Sequence, residues 1–112
     1  MLIKKSETKK HSNSPKCIAY EYPFTDKDIN IAFIEIKGRY PDKDRVTNKV
    51  CKEIVFVVKG KGKIEVDGKE LLISEGDSIF IQPSQKYFFE GNLEIITSCH
   101  PTWYSEQHIE CD

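Results

Sequence analysis

Lys49-Val50-Cys51-Lys52-Glu53-Ile54-Val55-Phe56-Val57-Val58-Lys59 runs straight into Gly60-Lys61-Gly62. The branched side chains at 50, 54, 55, 57 and 58 crowd a helix but fit a pleated strand, so the stretch predicts a strand over 49–59. The two glycines predict a tight turn with its lysines in water. A phosphate-binding loop is excluded, because such a loop opens a helix and here a second strand-like run follows.

Outward from this segment the same pattern recurs. Lys63–Val66 and Glu70–Ile73 flank Asp67-Gly68, a dipeptide suited to a two-residue hairpin turn. Glu75-Gly76-Asp77 turns into Ser78–Gln82, Pro83-Ser84-Gln85 turns into Tyr87–Glu90, and Gly91-Asn92 precedes Leu93–Cys99. Upstream, Cys17–Tyr22 and Ile29–Lys37 read as strands separated by Pro23 and Asp26-Lys27-Asp28, and residues 38–44 read as a loop. Ile29, Ile31, Phe33, Ile34 and Ile36 occupy both phases of a strand, which predicts burial on both faces or a bulge. Residues 1–16 are polar and basic and end at Ser14-Pro15, so they read as a solvated N-terminal segment. Residues 17–103 form the barrel region, and the tail 104–112 has room for a helical turn or two.

Composition agrees. Ile and Val total 20 while Ala and Leu total 6, which excludes a helical bundle. With 112 residues there is room for one core, and eight or so strands with regular turns make an all-β, single-domain antiparallel barrel or jelly roll. A formal charge of −1 argues against nucleic-acid binding. No apolar run reaches the roughly 20 residues of a membrane helix. No h-region follows Met1-Leu2-Ile3-Lys4-Lys5, so a cytoplasmic protein is expected. Cys17, Cys51, Cys99 and Cys111 show no C-x-x-C spacing and are expected to be reduced, the first three as small core residues. No G-x-S-x-G elbow occurs, and His11, His100 and His108 read as surface residues.

Two motifs carry a family resemblance. Glu53 is followed by Gly60 at the interval of the first cupin motif, and Gly76-Asp77-Ser78-Ile79-Phe80-Ile81-Gln82-Pro83 resembles the second. Pro101-Thr102-Trp103 is similar to the segment that follows the last strand in small cupins, and Gly38-Arg39-Tyr40-Pro41 with Asn48 and Lys52-Glu53 looks like a group of small cupins. The resemblance implies a double-stranded β-barrel of the conserved-barrel type and a homodimer that pairs through its sheets. It does not bring the family's metal with it. The first-motif histidines fall on Thr47 and Lys49, on Val46 and Asn48, or on Asp44 and Val46, depending on register, and the second-motif histidine falls on Tyr87. No tightly held metal and no cofactor are therefore expected.

Strand alternation places Thr47, Lys49, Cys51 and Glu53 on the face that lines such a barrel, with Tyr87 nearby. A Lys49 ammonium beside Glu53 is expected to fill the place of the metal and to offset the burial of the carboxylate. Together with Asn48 these residues form the expected ligand pocket. The leading expectation is a non-catalytic cupin that binds a small polar or anionic ligand such as a sugar or a carboxylate. Alternatives are a metal-independent sugar isomerase or epimerase using Lys49, Glu53 and Tyr87, and a metalloenzyme using Asn48, Cys51 and Glu53.

Overall fold

The β-branched bias is realised as nine strands and no α-helix, in a computed structural model that describes residues 1–112. The strands are β1 (Lys9–Ser14), β2 (Cys17–Glu21), β3 (Asn30–Tyr40), β4 (Arg45–Asn48), β5 (Lys52–Val66), β6 (Lys69–Ser74), β7 (Ser78–Ile81), β8 (Lys86–His100) and β9 (His108–Cys111). Every pairing is antiparallel. β8 is the spine of the sheet. One of its edges pairs with β3 and then β4, and the other pairs with β5 along nearly its whole length. β2 and β1 extend the sheet beyond β3, β9 lies beyond β4, and β7 and β6 share the far edge of β5. The curled sheet closes on one core that includes Ile36, Val46, Val55, Val57, Ile64, Ile81 and Ile95, all buried. The result is a single-domain antiparallel double-stranded β-barrel. No helix is long and apolar enough to cross a membrane.

Asp67-Gly68 is the expected hairpin turn. Both residues have positive φ, 50° and 83°, and Val66 pairs with Lys69 across them. The Gly60-Lys61-Gly62 turn is not observed, nor is a break at Gly91-Asn92. β5 and β8 run through these glycines as continuous 15-residue strands. The reason is close approach rather than chain reversal. Gly62 pairs with Gly91 and Gly60 with Leu93, and a Cβ on Gly60 or Gly62 would collide with the backbone carbonyl of Asn92 or Glu90. A register shift between Val57 and Lys59 bends the pair at the same place.

Three other boundaries differ from expectation. The N-terminal segment contributes β1, an exposed edge strand whose Lys9 and Lys10 discourage further pairing. The tail makes one 3-10 turn at Ser105–Gln107 and then β9, which pairs with β4. Residues 49–51 are a bend rather than the start of a strand. Ile29–Ile36 needs no bulge, because β3 pairs in regular register on both sides. Ala32, Ile34 and Ile36 face inward, whereas Ile31 and Phe33 lie on the opposite face.

Candidate functional site

The bend at 49–51 decides which polar groups meet inside the barrel. The Gln107 side chain accepts from the backbone N–H of Val50 and of Cys51, both at 3.2 Å, and its backbone carbonyl accepts from Lys49 N–H at 2.9 Å. These bonds draw the backbone out of the ladder, so strand alternation does not carry from 47 to 53. Lys49 swings into solvent and makes no ion pair with Glu53, contrary to expectation. Its neighbour Asn48 turns inward instead. Asn48 Nδ2 donates to Glu53 Oε1 at 2.9 Å, so a neutral amide, not an ammonium, supports the carboxylate.

A hydrogen-bond chain extends from this contact. Asn48 Oδ1 accepts from Gln107 Nε2 at 3.0 Å and from His108 Nδ1 at 2.8 Å. The proton on Nδ1 leaves His108 Nε2 as an acceptor, and Tyr40 Oη donates to it at 2.9 Å. Burial holds His108 neutral by lowering its pKa to about 4. His108 is thus no surface residue. It stacks parallel to Tyr40 and packs against Trp103, with ring centroids 6.4 and 5.5 Å apart.

Glu53, Tyr87, Tyr40 and His108 line one cavity together with Ile34, Ile36, Phe89, Ile95, Thr97, Cys99 and Trp103. Its volume of about 70 Å³ admits roughly five water-sized groups. Removal from water raises Glu53 to about pH 7 in pKa, and the Asn48 bond only partly opposes that. Glu53 Oε2, Tyr87 Oη and Thr97 Oγ1 make no hydrogen bond, yet no buried side-chain oxygen is both unpaired and sealed off. Three unpaired oxygens therefore open on the cavity.

The other expected pocket residues sit elsewhere. Asn48 is in the layer behind Glu53. Thr47 is buried, but its hydroxyl donates to the Gln85 carbonyl at 2.8 Å. Cys51 is buried with Sγ directed at the Thr102 carbonyl, 3.9 Å away. Cys17 and Cys99 do line the cavity as free thiols, and burial raises both, Cys17 to about 11. The donor set does not fit a metal. No three His, Cys, Asp or Glu side chains converge as ligands, Asn48 presents N–H rather than oxygen to Glu53, and Cys51 points away. Neither lysine nor arginine lines the cavity, so the anionic ligand expected from a Lys49–Glu53 pair would find no counter-charge.

Tyr40, Thr97, Trp103, Gln107 and His108 were not among the expected pocket residues. Thr97 lies in the expected Leu93–Cys99 strand in phase with Leu93 and Ile95, so alternation alone points it inward. Nothing local marks Gln107 or His108, whose roles arise from β9 docking on β4, some 60 residues away in sequence.

The cupin domain family matches residues 40–94, a span that contains Glu53, Tyr87 and the β5–β8 corner. No curated protein matches the chain. Among solved structures it is similar to Pac13, a nucleoside dehydratase from Streptomyces, with a TM-score of 0.89 at 14% identity over 99% of this chain and 90% of that one. An RmlC-like cupin from Shewanella frigidimarina gives 0.71 at 20% identity, covering 87% and 86%. The polyketide cyclase RemF from Streptomyces resistomycificus gives 0.71 at 10% identity, covering 96% and 88%. At these identities the likeness is one of fold. The cupin domain model thus covers the central strands, and the barrel as a whole is similar in fold to these solved structures, an RmlC-like cupin among them.

Proposed function

We propose that this chain is a cupin that binds a small molecule in its barrel, and that Glu53 is the group that recognises it. The observation that carries this is the split role of the carboxylate. Asn48 fixes Oε1, and Oε2 opens on a mostly apolar cavity beside the unpaired hydroxyls of Tyr87 and Thr97. Few polar groups converging in an apolar pocket is the arrangement of a ligand site. The cavity takes only a small group or the end of a longer ligand. Small molecules released by denaturing the purified protein, identified by mass spectrometry, test this. Wild type should release a compound that Glu53→Gln retains poorly; equal retention by both forms would remove Glu53 from the site.

A second reading is favoured by the carboxyl pKa near 7. Such a group exchanges protons readily at neutral pH. In a metal-independent isomerisation, Glu53 Oε2 takes a proton from the carbon beside a carbonyl and returns it to the neighbouring carbon, while Tyr87 Oη donates a hydrogen bond to the carbonyl oxygen as it gains charge. Pac13 and RemF catalyse reactions on this fold, which supports the reading without assigning a substrate. Solvent deuterium entering the released compound on incubation with wild type, and not with Glu53→Gln, is the expected result.

We also propose that two copies pair through the outer sheet face. Ile31, Ile54, Phe56 and Phe80 are exposed there, and the pairings Ile31–Ser98–Ile54–Phe80 and Tyr20–Phe33–Ile96–Phe56 make the patch continuous across β2, β3, β8, β5 and β7. Soluble monomers rarely leave an apolar face of that extent in water. A second copy presents the same surface and covers it.

A further inference from the structure

We propose that the barrel pocket selects a cationic nitrogen ligand, an ammonium or a protonated small amine, with Glu53 as its counter-ion. The inference rests on the reading of the barrel as a ligand site and specifies the ligand's charge.

Four observations lead to it. The cavity wall carries two carboxylates, Glu53, which is buried, and Glu21, which is half-buried, and no lysine or arginine. His108, the one other basic side chain on the wall, has its Nδ1 proton committed to Asn48 and its Nε2 to Tyr40, so it supplies no positive charge. Tyr40, Tyr87, Phe89 and Trp103 supply aromatic surface around the same space. Aromatic rings attract a cation through the negative potential over their faces, and more strongly where water is excluded. Finally, Glu53 is only 7% exposed, while its Oε2 has no partner.

The last point decides between a cation and a neutral ligand. Bringing a carboxylate out of water is costly, and here folding has already done it. An ammonium entering the cavity donates a hydrogen bond to Oε2 and gains a charge attraction that the mostly apolar wall screens less than water would. A neutral alcohol gains one hydrogen bond from the same oxygen and nothing from the two negative charges. A carboxylate ligand meets repulsion from both.

The test uses three small probes of one carbon skeleton: isobutylamine, isobutanol and isobutyrate. Each is titrated into the full chain at pH 7.5 and followed by the NMR shifts of Thr97, Cys99 and the Trp103 indole. The amine is expected to bind at least ten-fold more tightly than the alcohol, and isobutyrate to cause no saturable shift. Glu53→Gln keeps an amide oxygen for Asn48 and should fold; it is expected to reduce amine affinity at least ten-fold and alcohol affinity less than three-fold. Glu21→Gln, at the half-buried carboxylate, should weaken the amine two- to three-fold. Should the alcohol bind as well as the amine, or the acid more tightly, the charge preference falls while the ligand site stands. Should none of the three shift these resonances, both readings fall.

Discussion

Glu53 and His108 are both buried titratable groups, and they tie stability to pH with opposite signs. The Glu53 pKa rises from 4.5 unfolded to about 7 folded, so the folded state holds the proton more tightly. Stability is therefore full below pH 4.5 and is lost as pH rises toward 7, by about 3 kcal/mol at 1.4 kcal/mol per pKa unit. The His108 pKa falls from 6.5 to about 4, so its contribution is full above pH 6.5 and is lost as pH falls toward 4. Between pH 4.5 and 6.5 the two slopes oppose each other. Urea denaturation across pH should show wild type losing stability from pH 6.5 to 7.5, and Glu53→Gln should lose none over that range. Below pH 6.5 the Gln variant should lose stability, because the unfolded imidazole takes up a proton that folded His108 refuses until about pH 4. A Gln variant that tracks wild type above pH 6.5 would mean that burial does not raise the Glu53 pKa.

Strands β5 and β8 owe their crossing to glycine, and the bend before β5 owes its shape to one glutamine. Gly60 and Gly76 have similar φ, 94° and 90°, but different surroundings. A Cβ at Gly76 meets nothing within 4 Å, whereas at Gly60 it meets the Asn92 carbonyl. Gly76→Ala should cost about 1 kcal/mol, the backbone penalty alone. Gly60→Ala should cost several times more, or fail to fold, because the β5–β8 ladder must part. Comparable melting temperatures for the two would overturn the close-approach account. Gln107→Ala removes the acceptor for two backbone N–H groups and a donor to Asn48. It should cost about 2–3 kcal/mol in denaturant titration. A loss under 0.5 kcal/mol would show that water replaces Gln107 at the bend.

At the scale of the molecule, one sheet face is left apolar by the same alternation that fills the core. On β5, Glu53, Val55 and Val57 point inward, and Ile54 and Phe56 therefore point outward. Sedimentation at micromolar concentration should give twice the 13.0 kDa chain mass, and Ile54→Lys with Phe56→Lys should give the chain mass with an unchanged fold. A monomeric wild type would leave this face without a partner. The inner face and the outer face are thus set by one pattern, read in two phases.

The sequence by itself determined the β class, the Asp67-Gly68 hairpin, the second-motif turn at Gly76-Asp77 and the inward direction of Glu53, because these follow from local sterics and a period of two. It misread Gly60, Gly62 and Gly91 as turns, since a glycine needed for a turn and one needed for contact between strands look alike along the chain. It paired Glu53 with Lys49 because alternation assumes an unbroken strand, and the break is made by Gln107, more than fifty residues away. His108 came inside for the same reason: β9 finds its place only when β4 is there to pair with it. Tertiary structure alone decided which polar groups share the cavity, and so the sign of its charge, because contacts between distant strands are fixed by closure of the barrel and leave no periodic trace in the residues that make them.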